Sequence, residues 1–282
     1  ADGDTDTASV KLVSSEDTED VAQFNILDDG PSAGLTDAEV DKAQLNEIEL
    51  TVDESALQQA NPADNVADRV SSADFTSLFK VVGVGGVTAT DLYGTDGAGS
   101  VDYSLSLTNS SDTTVSGVQS GLFALGANGA KGAEILLSEV NGTIVGTAGG
   151  VTYFTISNTG TNVTFTQSEN VWHSDATDHD DTESLVLSQL NNVDVSINLT
   201  QTVTDADGDT SKASVKLASS DTTEDVGQFN IKDDGPDAGL NATAVTDAQG
   251  NNITLTVDET EGVDSPADDN GDRSSKADFS SL

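Results

Sequence analysis

Carboxylates spaced one residue apart around a glycine are the sharpest chemical feature of this 282-residue chain. In Asp205-Ala206-Asp207-Gly208-Asp209 the acidic side chains alternate, so a chain that turns at Gly208 can bring them onto one ion. Ca2+ takes about six to eight oxygens at roughly 2.3–2.6 Å, and Asp side chains with nearby backbone carbonyls supply such donors. The pattern departs from the helix-loop-helix calcium hand. Thr210 stands where that loop needs Gly, and Lys216 where it needs its bidentate Glu. The same pentapeptide is also an Asp-Gly hairpin turn that needs no metal. Recurrence and total charge favour the metal.

The recurrence is explicit. Ala1-Asp2-Gly3-Asp4-Thr5 returns as Ala206-Asp207-Gly208-Asp209-Thr210, an offset of 205 residues, so Asp2 and Asp4 are candidate ligands equivalent to Asp207 and Asp209. Asp28-Asp29-Gly30-Pro31 returns as Asp233-Asp234-Gly235-Pro236, two adjacent carboxylates before a proline that stiffens the chain. A cation bound there could lock one module against the next. Asp53-Glu54 and Asp258-Glu259, at the ends of the apolar runs Leu50-Thr51-Val52 and Leu255-Thr256-Val257, could complete such a site from a neighbouring loop; a solvated polar turn also explains them. Both histidines fall in Trp172-His173-Ser174-Asp175-Ala176-Thr177-Asp178-His179-Asp180-Asp181. Zinc needs three or four convergent ligands with an oriented surround, which two His in an acidic loop do not establish. That loop reads as calcium-binding or solvated.

Composition bounds the rest. Asp plus Glu number 50 against 10 Lys plus Arg, a net charge of -40. Nucleic acid and anionic membrane surfaces are therefore excluded as partners. Without Cys there is no disulfide or thiolate metal site, which leaves hard cations to staple the fold. There is no run of apolar residues long enough for a membrane helix, and residues 1–7 lack the regions of a signal peptide, so the chain reads as an internal piece of a longer one. No Cys nucleophile or phosphate-binding glycine loop with Lys is present, and a serine elbow is not expected. Abundant carboxylates do not define a glycosidase pair without a known separation. The expectation is that this is not an enzyme.

The elements that must position the carboxylates read as strands. Val101, Tyr103, Leu105 and Leu107 alternate with polar residues, as do Val193, Val195, Ile197 and Leu199, the period of a half-buried strand. Ile48-Leu50-Val52, Val163-Phe165 and Phe24-Ile26 repeat it. Residues 193–203 and 213–217 read as one hairpin turned at 205–209, and residues 36–45 as at most a local helix. The fold expected is all-β: tandem immunoglobulin-like β-sandwich modules with calcium-bound junctions. Residues 1–34 read as the final strands of a preceding module with its linker, 35–234 as one repeat period of two β-sandwich lobes, and 235–282 as the start of the next. A lobe inserted near 91–190 is an alternative arrangement.

Thr204-Asp205-Ala206-Asp207-Gly208-Asp209-Thr210, Phe229-Asn230-Ile231, Asp233-Asp234-Gly235-Pro236, Tyr103-Ser104-Leu105-Ser106-Leu107 and the His173 loop together resemble the tandem extender repeats of giant type I-secreted RTX adhesins. The resemblance covers essentially the whole chain. It implies a Gram-negative surface fibre whose β-sandwich repeats are stiffened by Ca2+ at their junctions and project distal ligand-binding domains for attachment, cohesion and biofilm formation. It passes the calcium role to Asp28, Asp29, Asp205, Asp207, Asp209, Asp233 and Asp234. The partners implied are neighbouring repeats of the same chain, each module being monomeric. The Gly-Gly-x-Gly-x-Asp repeats of the secretion signal are absent. A second expectation is a ligand-binding lobe over 91–190 held within a split extender domain.

Overall fold

The computed structural model describes residues 27–36, 48–54, 69–175, 177–178, 181–221, 229–233 and 276. The chain divides into two compact units, Ala1–Asp234 and Gly235–Leu282, and the described elements all belong to the first. In chain order they are β1 (Leu50–Asp53), β2 (Val70–Asp74), a short helix α1 (Ala89–Tyr93), β3 (Ala98–Asn109), β4 (Ser116–Leu125), β5 (Lys131–Val140), β6 (Thr143–Ala148), β7 (Val151–Thr159), β8 (Asn162–Gln167), β9 (Thr182–Ser184), β10 (Val195–Asp205), β11 (Thr210–Ser219) and β12 (Phe229–Lys232).

The alternating runs become strands because each has an apolar face to bury. β4 to β8 form an antiparallel meander in which every strand pairs with its chain neighbour, and β2 adds to the edge at β8. Short turns permit this. Asn141 and Gly142 both take positive φ (52° and 77°), as a two-residue hairpin turn between β5 and β6 requires. A second sheet has the antiparallel order β11-β10-β3, and the third places β12 between β9 and a parallel β1. β3 packs across β5, β6 and β7, so the two larger sheets face each other as an all-β sandwich.

One core runs through all three sheets, built from Val, Leu, Ile and Phe. Phe165 stacks edge-to-face with Phe154 and with Phe229, ring centroids 5.4 Å apart in each pair, tying the meander to β12. Residues 91–190 supply β3 to one sheet and β4 to β8 to the other, and share this core.

β10 differs from the half-buried reading. As the central strand of its sheet it buries Ser196, Asn198 and Gln201 as well as Val195, Ile197 and Leu199. Their amide nitrogens are bonded across the fold: Asn198 Nδ2 donates to Thr108 Oγ1 at 2.9 Å, and Gln201 Nε2 to Lys80 O and Tyr103 Oη, both at 2.9 Å, while Gln201 Oε1 is buried without a partner. Val193 lies outside the strand, bridged to Leu190 across a turn in which Asn191 and Asn192 take positive φ. The expected hairpin of residues 193–203 and 213–217 is β10-β11, whose last register pair, Thr204 and Thr210, closes on the acidic turn. Phe24-Ile26 and all but Thr36 of the expected helix lie outside the described residues; the copy of Phe24-Ile26 is β12. β1 follows one Asp-Asp-Gly-Pro linker and β12 precedes the next, so the first and last strands of the period lie side by side.

Candidate metal centre

The turn after β10 is shaped by its own first aspartate. Asp205 Oδ1 accepts from Gly208 N at 3.1 Å and from Asp209 N at 2.8 Å, curling the loop so that Asp207 and Asp209 return toward Asp205. Asp205 is 3 % exposed, and its Oδ2 is buried with no hydrogen-bond partner. β3 presses on this point from the side. A Cβ at Gly99 would come 2.2 Å from Asp205 O, so only glycine admits that approach.

Two further carboxylates arrive from elsewhere in the chain. Asp205, Asp207 and Asp209 each place a ligand oxygen within 4.8 Å of the others, and Asp28, Asp96 and Asp207 do the same, so Asp207 is shared by two adjoining three-carboxylate groups. Asp96 comes from the loop between α1 and β3. Asp28 comes from the linker, which is fastened by one backbone bond and two between backbone and side chain: Ser32 N donates to Leu92 O at 2.8 Å, Ala33 N to Ser211 Oγ at 3.1 Å, and Thr95 N to Asp29 Oδ2 at 3.1 Å. Gly94 lets the linker close in, since a Cβ there would meet Asp29 O at 2.3 Å.

Such crowding opposes ionisation. Asp205 beside it raises the pKa of Asp207 above the ordinary carboxylate value, and Asp28 does the same for Asp209. A buried acceptor without a donor costs about 1–3 kcal/mol. A divalent cation would relieve both penalties, and an all-oxygen donor set suits a hard ion. The residues therefore fit Ca2+.

A second cluster lies at the far end of β1. Glu54 is 2 % exposed, and its Oε1 accepts from Gln167 Nε2 at 2.6 Å and Val171 N at 2.7 Å. Arg69 Nη2 donates to Glu54 O at 2.9 Å. His173 Nε2 stands 3.7 Å from Glu54 Oε1, and Asp233, just after β12, completes a group whose ligand atoms lie within 4.8 Å of one another. Burial opposes charging of His173, but Glu54, with Asp233 and Glu183 beyond it, outweighs that and holds the imidazole pKa above its usual value.

A family model matches residues 49–218, more than half of the chain. The chain belongs to DUF5801, a domain of unknown function. No curated protein and no solved structure matches it. The DUF5801 match runs from just before β1 almost to the end of β11, and so contains the 205–209 turn, Asp96, Glu54 and His173, while Asp28 and Asp233 lie outside it.

Of the carboxylates singled out in the sequence, Asp205, Asp207 and Asp209 meet in one group and Asp28 meets Asp207 in the adjoining one; Asp29 anchors the linker beside them. Glu54 and Asp233 meet in another place, with Asp53 ending β1 next to Glu54. Asp2, Asp4, Asp234, Asp258 and Glu259 lie outside the described residues. Asp96 and His173 were not among the expected ligands. Asp96 sits in Thr95-Asp96-Gly97, an Asp-Gly pair that marks a turn but has no second acid near it in sequence. Gly30-Pro31-Ser32-Ala33-Gly34 has the spelling of a serine elbow, but it forms the linker and not the strand-turn-helix that such an elbow requires.

Proposed function

We propose that this chain is a structural extender module of a calcium-dependent bacterial surface adhesin, non-enzymatic and extracellular, with neighbouring repeats of the same chain as its partners. The observation that carries the reading is the meeting of Asp28, from the linker, with Asp207 of the β10-β11 turn, in a loop whose first aspartate, Asp205, has an orphaned Oδ2. One Ca2+ there would fix the linker to the sandwich that follows it, and repetition of that joint would stiffen a fibre holding distal binding domains away from the cell. The long-period repeat and the resemblance to RTX extender repeats support the same reading. The alternative, a ligand-binding lobe over 91–190, has a shallow groove of about 710 Å3 on the β11-β10-β3 face, lined by Ser104, Ser106, Thr200 and Ser214 among others. Among the described residues no aromatic ring lines it, so they offer sugars no stacking platform, and the extender reading is preferred.

A site with a Kd of about 0.1–1 mM in about 10 mM Ca2+ stabilises the fold by roughly 1.4–2.7 kcal/mol. For a unit of this size that is a rise in Tm of about 3–10 °C. Thermal melting and small-angle scattering in about 10 mM CaCl2 and then in excess EDTA test it. Calcium is expected to raise both Tm and the maximum dimension, and Asp205→Asn to remove most of the gain. If neither quantity responds, the calcium mechanism fails and a metal-independent spacer remains.

A further inference from the structure

We propose that Glu54, His173 and Asp233 form a second metal site, separate from the carboxylate groups around Asp207 and suited to a borderline divalent ion of the Zn2+ class. The donor set differs in kind, with an imidazole nitrogen beside two carboxylate oxygens. Imidazole favours Zn2+, Ni2+ or Cu2+ over Ca2+, which prefers oxygen alone.

Geometry agrees. The 3.7 Å between His173 Nε2 and Glu54 Oε1 is too long for a hydrogen bond. Oε1 already accepts two hydrogen bonds, so the other carboxylate oxygen of Glu54 is the donor left to share an ion with Nε2. The independent observation is the state of the ring. The His173 side chain is 5 % exposed, yet both Nδ1 and Nε2 are buried without a hydrogen-bond partner. A buried imidazole with no hydrogen bond on either nitrogen, and only the Glu54 carboxylate 3.7 Å from Nε2, is an anomaly that a metal on Nε2 resolves.

The ligands are also held in place. Val171 N and Gln167 Nε2 fix the Glu54 carboxylate, as outer hydrogen bonds commonly orient a ligating group. Trp172 N donates to Phe123 O at 2.7 Å, seating the segment that carries His173. Asp233 N donates to Asp181 O at 2.9 Å at the end of β12. The ion would tie the end of β1 to the end of β12, the first and last strands of the period, where the chain leaves for its next linker. Asp233 is the counterpart of Asp28 one period on, so the same linker position meets an all-carboxylate cluster in one place and a histidine-containing one in the other.

The test uses the whole chain, stripped with EDTA and returned to about 10 mM Ca2+ so that hard-cation sites are filled. Zn2+ is then titrated calorimetrically, and Co2+ is added as a spectroscopic substitute, read by its intense visible absorption when tetrahedral and by quenching of Trp172, the only tryptophan. Expected is one Zn2+ bound per chain despite the calcium, with affinity at least about tenfold weaker in His173→Gln and in Asp233→Asn. His179→Gln and Asp205→Asn should bind Zn2+ like the parent. Absence of Zn2+ binding in the parent, or equal binding by folded His173→Gln and Asp233→Asn chains, overturns the site without touching the calcium reading, whose readout is the response of Tm to CaCl2.

Discussion

At the scale of the residue, the acidic centre is a set of charges that oppose one another until something neutral or positive intervenes. Asp209 shows the sign. Its folded pKa is raised, by Asp28 first, so the native state holds the proton more tightly than the unfolded chain does. That contribution favours folding at pH below the ordinary carboxylate pKa and is lost as pH rises through the raised value. In EDTA, Tm should therefore fall as pH rises above the ordinary carboxylate value, and Asp209→Asn should flatten the fall relative to the parent. Melts of both chains across that rise in pH check it, and identical slopes would remove Asp209 from the account. Glu54 acts differently, because its oxygen satisfies buried donors. Glu54→Ala leaves Val171 N unpaired and the Gln167 amide with only its longer bond to Glu169 O, and should cost about 1–3 kcal/mol in denaturant unfolding without added metal.

At the scale of the element, the centre depends on how closely strands and loops approach. The β10-β11 hairpin makes the turn, but Gly99 on β3 decides where Asp205 sits and Gly94 decides how near the linker comes. Gly99→Val changes no carboxylate yet drives a side chain into the Asp205 carbonyl, and overpacking of this kind costs about 1–3 kcal/mol. It should lower Tm in EDTA and also shrink the rise in Tm on adding CaCl2. A lowered Tm with an intact calcium increment would show that the approach of β3 matters to the sandwich alone. The edge-to-face pair of Phe165 and Phe229 plays the matching part at the other cluster, seating β12 so that Asp233 follows beside His173.

At the scale of the whole molecule, a net charge of -40 on a 282-residue chain makes repulsion a general term in its stability. Raising NaCl from about 0.01 M to 0.15 M shortens the screening length from about 30 Å to about 8 Å, and should raise Tm in EDTA more than in CaCl2. Equal responses would mean that bound calcium removes no significant part of the repulsion. Much of the architecture was legible from order along the chain. Alternation of Leu105 and Leu107 with serines, and of Ile197 and Leu199 with Ser196 and Asn198, specifies strands because backbone pleating has a period of two, and Asp-Gly at the tip of two such runs specifies a hairpin. Those are local rules, so the acidic turn and its recurrence at 205 residues could be read directly. Burial of Ser196 and Asn198 could not, because it depends on β3 and β11 flanking β10 on both sides. Nor could the meeting of Asp96 and Asp28 with Asp207, or of His173 with Glu54 and Asp233. These residues come from segments far apart in sequence, and only the packing of sheets around one core brings their ligand atoms within reach of a single ion.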